Sequence, residues 1–256
     1  YERCFMSSHG PAVFLHGGPE VTAVWSLLLE DIERDDVFLL SPPGFGVPLP
    51  DGFEATMDGY LEWLVARLEA FGQPVDLVGH DWGGVHTFNL AMNRPDLIRS
   101  WVCDVVGLFH PDYEWHPLAR TVQTPDEGER WIDELSSKTM EERLAWWHEW
   151  GTLEPLATRL AAGQDAHMGR AILSLYRSSV QPRLAEAGRK ASAAAARPGL
   201  VISVTDDPAT GTHEMRQQVA GEAGADVVTL DGGHFWMTRK PAAGAALLND
   251  FWARLP

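Results

Sequence analysis

The run Gly79-His80-Asp81-Trp82-Gly83-Gly84 directly follows the apolar stretch Val75-Asp76-Leu77-Val78 and precedes an amphipathic pattern from Val85 to Asn93. That order reads as a strand, a turn crowded with glycine, and a helix. A turn this sharp needs small neighbours, and Gly79, Gly83 and Gly84 supply them. Such a turn lifts one side chain above a sheet and leaves it exposed at the apex. The apex residue here is Asp81. A serine alkoxide in that position attacks acyl carbon. A carboxylate is a poor acylating partner, but it is a competent nucleophile toward saturated carbon bearing a leaving group, and it leaves a covalent ester behind.

Apolar runs suited to buried parallel strands recur at Ala12–Leu15, Val37–Leu40, Val75–Val78, Trp101–Val106, Leu200–Val204 and Val227–Leu230. Helical patterns such as Tyr60–Phe71 and Val85–Asn93 lie between the early ones, which predicts a mostly parallel sheet covered by helices on both faces. The alternation breaks after Val106. From about Leu108 to Ala196 the pattern is helical and rich in tryptophan, and then the strand–helix rhythm resumes. The expected organisation is therefore an α/β core over residues 1–107, a helical insertion over 108–196 and the rest of the core over 197–256. The alanine stretch Ala191–Ala196 is expected to form the closing helix of the insertion, stopped by Arg197-Pro198.

The charge balance narrows the partners. With 36 acidic against 20 basic residues the formal charge is −16, which repels nucleic acid and anionic membrane surfaces. No run of 18 apolar residues exists, so no membrane span is expected. Two distant cysteines, Cys4 and Cys103, suggest neither a disulfide framework nor a zinc site, and the ten histidines lack metal-ligand spacing. A small-molecule substrate handled without metal or cofactor is the expectation. The acidic surface, with no signal-like segment at Tyr1, leans toward a cytoplasmic protein.

Three further motifs carry chemistry. His16-Gly17-Gly18-Pro19 ends the strand Ala12–Leu15, and its glycines let backbone N–H groups approach a developing negative charge. With the N–H of Trp82, Gly18 would complete an oxyanion hole. Asp231-Gly232-Gly233-His234-Phe235 follows the last strand and raises His234 as a general base. Either Asp206 or Asp207, in the acidic turn before Pro208, suits the role of holding the imidazole tautomer. Asp104, at the end of Trp101–Val106, is the rival. The chain order Asp81, Asp207, His234 is nucleophile, acid, base.

Together these motifs resemble the α/β-hydrolase superfamily, specifically its aspartate-nucleophile branch of epoxide hydrolases and haloalkane dehalogenases. The resemblance implies the α/β-hydrolase fold with a helical cap inserted after the sixth strand. The family's acid motif lands on Val204-Thr-Asp-Asp207-Pro208, without its leading glycine; it places the acid at Asp207 and ranks Asp104 second. In the cap, the family's first leaving-oxygen donor stands seven positions before a proline, which selects His148 ahead of Pro155. The second is a tyrosine before arginine, which selects Tyr176. A substrate pocket lined by His16, Pro19, Trp147, Trp150 and Phe235 is the corresponding expectation.

The resemblance implies a cofactor-free epoxide hydrolase acting on an apolar epoxide. A haloalkane dehalogenase with the same triad is the alternative, with the Trp82 indole as one halide donor; an idle fold that binds a small ligand is a third. Haloacetate chemistry is disfavoured, because the arginines that clamp its carboxylate are replaced by Trp82 and Val85.

Overall fold

The computed structural model describes residues 10–255. Six strands form one sheet: β1 (Ala12–Leu15), β2 (Val37–Leu40), β3 (Val75–Gly79), β4 (Ile98–Cys103), β5 (Gly199–Asp206) and β6 (Asp226–Gly233). Their spatial order is β2-β1-β3-β4-β5-β6, and every pairing is parallel. The helices are α1 (Ser26–Leu29), α2 (Met57–Glu69), α3 (Trp82–Asn93), α4 (Pro117–Gln123), α5 (Glu127–Ser137) and α6 (Met140–Glu149). They continue as α7 (Leu156–Ala162), α8 (Ala166–Ser178), α9 (Arg183–Gly188), α10 (His213–Glu222), α11 (Trp236–Arg239) and α12 (Pro241–Ala253).

Alternation along each strand assigns its side chains to two faces. Val13, Leu15, Leu77, Trp101, Cys103 and Val201 point into a core shared with Tyr60 and Leu64 of α2 and Phe88 of α3. Their neighbours Ala12, Phe14, Val78, Val102, Leu200 and Ile202 fill the opposite core, with Leu28 of α1 and Leu248 and Phe251 of α12. Burial on both faces is why these strands read as continuous apolar runs rather than as alternating ones.

Between β4 and β5 the described chain is wholly helical, and its helices extend both cores. Ile132 of α5 and Met168 and Leu175 of α8 join the first, while Trp147, Leu156 and Leu160 of α6 and α7 join the second. Local signals start these helices: Thr139 and Glu142 form a reciprocal capping box on α6, and Asp165 accepts the Met168 N–H to begin α8.

Three expectations need correction. The insertion leaves the sheet after the fourth described strand rather than the sixth. β4 ends at Cys103, because Asp104 turns out of the ladder and Val106–Phe109 continue as a buried 3-10 turn. Ala191–Ala196 also closes the insertion as a 3-10 turn and not as an α-helix. Cys103 is free and buried, while Cys4 lies outside the described residues. No helix among the described residues is long and apolar enough to cross a membrane.

One polar residue inside an apolar run ties the lower end of the sheet together. The fully buried Asp76 carboxylate on β3 accepts from Arg34 Nη1 at 2.6 Å, Arg99 Nε at 2.9 Å and Ser100 Oγ at 2.6 Å. Removing it leaves guanidinium groups facing an apolar gap, so Asp76→Ala is expected to cost about 3–5 kcal/mol. Urea unfolding checks this, and an unchanged midpoint contradicts it.

Candidate active site

The chain order of the sheet reverses at β1, which lies between β2 and β3. Ligand sites of open α/β sheets form at such a switch, beyond the carboxyl ends of the strands. The register Leu15↔Gly79 brings the ends of β1 and β3 level, and the His80 N–H donates to Leu15 O at 3.1 Å. The glycine loop after β1 therefore lies against the turn after β3.

Asp81 occupies that turn with φ 50° and ψ −125°, a region that costs a non-glycine residue about 1–3 kcal/mol. Two glycines make it possible. A Cβ on Gly83 would sit 2.1 Å from Leu15 O, and one on Gly17 would sit 2.2 Å from Asp81 Oδ1. The Gly18 N–H donates to Asp81 Oδ1 at 2.9 Å. Asp81 also caps the start of α3, where the helix dipole favours a negative charge.

His234 stands opposite. Its Nδ1–H donates to Asp207 Oδ2 at 2.8 Å, and its Nε2 lies 3.7 Å from Asp81 Oδ2. Asp207 is fixed in turn by the Ala209 N–H on Oδ1 at 3.0 Å. Burial penalises charge on both partners, but the attraction between them prevails. It pulls Asp207 down to about 2, and Asp207, with help from Asp81 and Asp104, holds His234 up at about 10.

Asp104 is occupied elsewhere. Its Oδ2 accepts from His80 Nδ1 at 2.6 Å and from Trp236 Nε1 at 2.7 Å, and its Oδ1 accepts the Asp81 N–H at 3.3 Å. It braces the turn from below instead of orienting His234. Asp206 ends β5 exposed, and its side chain meets neither histidine.

Beyond His80 lies Glu20, which the sequence reading did not single out. Its carboxyl is fully buried, with Oε1 3.3 Å from His80 Nε2. Burial, opposed mainly by His80, raises its pKa to about 7. Glu20 directly follows the His-Gly-Gly-Pro motif, but nothing in one sequence distinguishes it from a solvated loop acid.

A cavity of about 270 Å³ opens over the Gly18 loop, between the core and the inserted helices. Gly18, Pro19, Val122, Trp146, Ile172 and Tyr176 are among its largely apolar walls. Tyr176 packs edge-on against the Trp82 indole, with ring centroids 4.8 Å apart. Its burial, reinforced by the Asp81 charge, raises the phenol pKa. The Trp82 Nε1–H is buried and turned toward the Tyr176 hydroxyl, whose pKa it lowers slightly against the effect of burial.

The expected first leaving-oxygen donor, His148, and several expected pocket residues fall elsewhere. His148 has a side chain 47% exposed and pairs with Glu154 at 3.5 Å, because its face of α6 turns to solvent. His16 is fully buried, donating from Nδ1 to Gly17 O at 2.9 Å and accepting from Ser41 Oγ at 3.1 Å; it shapes the loop from behind. Trp147 is buried against Phe235, and Phe235 packs behind His234. Trp150 is 41% exposed and stands over the His234 ring at 6.3 Å. Of the tryptophans on the inserted helices, Trp131 and Trp146 line the cavity, Trp146 one residue before the expected Trp147. Among the described residues, no group of three or more His, Cys, Asp or Glu is arranged to hold a metal ion.

Comparison with known proteins places this architecture. A family model described as "Alpha/beta hydrolase family" matches residues 12–247, and the chain belongs to that family. The chain is 28% identical over 139 residues to the cis-3-alkyl-4-alkyloxetan-2-one decarboxylase of Shewanella oneidensis, covering 46% of this chain and 43% of the relative. It is 35% identical over 101 residues to epoxide hydrolase 2 of Siraitia grosvenorii, covering 36% and 31%. Each match thus spans less than half the relative's length. Among solved structures, a haloalkane dehalogenase from Bradyrhizobium elkani superposes with a TM-score of 0.71 at 22% identity, covering 96% of this chain and 92% of its own.

The coupling of His234 to its acids sets the pH behaviour. With the His234 pKa raised from 6.5 to about 10, its stabilising contribution is full below 6.5 and is lost as pH rises toward 10. That of Asp207 is full above 3.8 and is lost as pH falls toward about 2. An imidazole NMR titration should find His234 protonated in neutral solution, and Asp207→Asn should lower its pKa. A neutral His234 in the unmodified protein at neutral pH contradicts the coupling.

Proposed function

We propose that the protein is a cofactor-independent epoxide hydrolase that opens an apolar epoxide through an ester on Asp81. With Oδ1 held by the Gly18 N–H, Oδ2 is the free nucleophile. It attacks an epoxide carbon, the C–O bond breaks, and the freed oxygen takes the Tyr176 proton. Water then adds to Cγ of the ester while His234 Nε2 accepts its proton. The oxyanion forms on Oδ1, between the N–H groups of Gly18 and Trp82. Collapse breaks the Cγ–O bond to the substrate, the departing oxygen takes the proton back from His234, and the diol leaves. Before this second step the Tyr176 phenolate takes the His234 proton, and the proton lost as the Asp81 carboxyl re-ionises returns to His234.

The order of steps agrees with the electrostatics. Before reaction, Asp81 and Asp207 together keep His234 protonated. Esterification removes the Asp81 charge, so the imidazole pKa falls, and passing its proton to the Tyr176 phenolate leaves His234 neutral when a general base is required.

Tyr176 carries this reading. It is a half-buried residue on the inserted helices, packed on the residue that follows Asp81, and its phenol is kept protonated by its surroundings. Curated relatives named as epoxide hydrolases lend support at low coverage. One observation favours a second reading, dehalogenation by the same triad: the buried Trp82 Nε1–H, directly after Asp81, suits a departing halide.

Styrene oxide and epibromohydrin, with diol and bromide assayed separately, distinguish the two. Diol without bromide is expected. Asp81→Asn should abolish turnover, and His234→Gln should retain the ester as a mass increase on the intact protein. Bromide release with styrene oxide untouched moves the assignment to a dehalogenase. Normal turnover in either variant contradicts the mechanism.

A further inference from the structure

An oxygen that departs from carbon with developing negative charge is best met by two donors, because one hydrogen bond leaves a lone pair facing an apolar wall. Tyr176 supplies one. His148, the residue whose spacing suggested the other, points to solvent. The described chain nevertheless brings a different imidazole to the Tyr176 ring, from the loop that leads into α4.

His116 caps α4. Its backbone is extended, at φ −61° and ψ 160°, and its Nδ1 accepts the Ala119 N–H at 3.3 Å. The cap fixes the tautomer: with a lone pair committed at Nδ1, a neutral ring carries its proton on Nε2. The ring is half-buried in a continuous aromatic group. It meets Tyr176 edge-on, with centroids 6.4 Å apart, and Trp115 at 6.1 Å; Trp115 in turn contacts Tyr176 at 5.6 Å and Trp82 at 6.0 Å. His116 thus belongs to the cluster that closes over the residue following Asp81. No described salt bridge or side-chain acceptor occupies its Nε2.

We propose that His116 Nε2–H is the second donor to the leaving atom, acting beside the Tyr176 hydroxyl, as a catalytic residue of the alkylation step. This rests on the reading of Asp81 as a nucleophile toward saturated carbon. As Asp81 Oδ2 bonds to the substrate carbon, the carbon–oxygen bond of the epoxide breaks. The oxygen takes the Tyr176 proton, and His116 hydrogen-bonds to the same oxygen without giving up its own. The pKa of the ring, lowered chiefly by burial, keeps it neutral through the cycle, so that it donates and does not compete with His234 for protons. A halide departing from the same carbon would meet the same pair of donors.

The cap makes a discriminating substitution available. Asparagine is among the preferred helix caps, so His116→Asn preserves the start of α4 but withdraws the long-reaching N–H. His116→Phe, which keeps the ring among Trp115 and Tyr176, is the second variant. Both are made in the His234→Gln background, where the ester accumulates, and adduct formation from styrene oxide and from 1-bromobutane is followed by intact mass. The alkylation rate at saturation should fall on the order of a hundredfold in both variants, while the half-saturating concentration stays nearly constant. A purely structural role would instead weaken binding and lower the melting temperature together. Unchanged alkylation in both variants overturns the role of His116 and leaves the Asp81 mechanism standing, as does a loss that appears in His148→Asn instead. Absence of any adduct in His234→Gln itself overturns the nucleophile reading, and the donor proposal falls with it.

Discussion

The placement of one carboxylate by a strained backbone is the constraint on which this structure depends. Asp81 can hold φ 50° only because nothing projects from Gly17 toward its side chain or from Gly83 toward the end of β1. The sheet register enforces the same closeness by setting Leu15 level with Gly79. Strain, register and the absent side chains thus bring the Gly18 N–H to Asp81 Oδ1 and leave Oδ2 facing His234. Local unfavourable geometry is sustained by two well-packed cores that leave the turn no alternative.

Around that carboxylate, the fold solves a charge problem in two tiers. Glu20, Asp81, Asp104 and Asp207 converge beyond the ends of the strands, and two histidines stand between them. His234 bridges Asp207 and Asp81 in the more exposed tier, and His80 bridges Asp104 and Glu20 in the buried one beneath. Burial disfavours charge on both imidazoles, but the flanking acids outweigh it and raise both pKa values. Glu20, the most enclosed of the acids, is pushed up to about 7, which limits the negative charge held in one place. The upper tier keeps partial exposure at the His234 and Asp81 side chains. The lower tier, sealed by Trp236 and the Asp81 N–H, fixes the turn.

The sheet was legible because parallel strands buried on both faces leave long apolar runs, and the turn was legible because its glycines are crowded into six residues. Motifs that sit on strand ends are carried by local chain geometry, so the positions of Asp81 and His234 were readable, while the residues alone left the acid open among Asp206, Asp207 and Asp104. The inserted helices were not. There the chemistry depends on which face of a helix turns inward, and only one residue separates exposed His148 from buried Trp147, and two separate it from Trp146 on the cavity wall. His116 escaped notice because its position follows from a cap and an aromatic cluster assembled over distant parts of the chain. Glu20 and Asp76 read as ordinary acids, since their burial is decided by partners that lie far away in sequence.

The most direct test of the covalent account is a single turnover in water enriched in oxygen-18, with enzyme in excess over a simple epoxide. Water that attacks Cγ of the ester leaves its oxygen on Asp81, so the first diol released should be unlabelled and the peptide containing Asp81 should gain the label. Label appearing in the first diol, with none on Asp81, would mean that water attacks the substrate directly and that Asp81 is not the nucleophile.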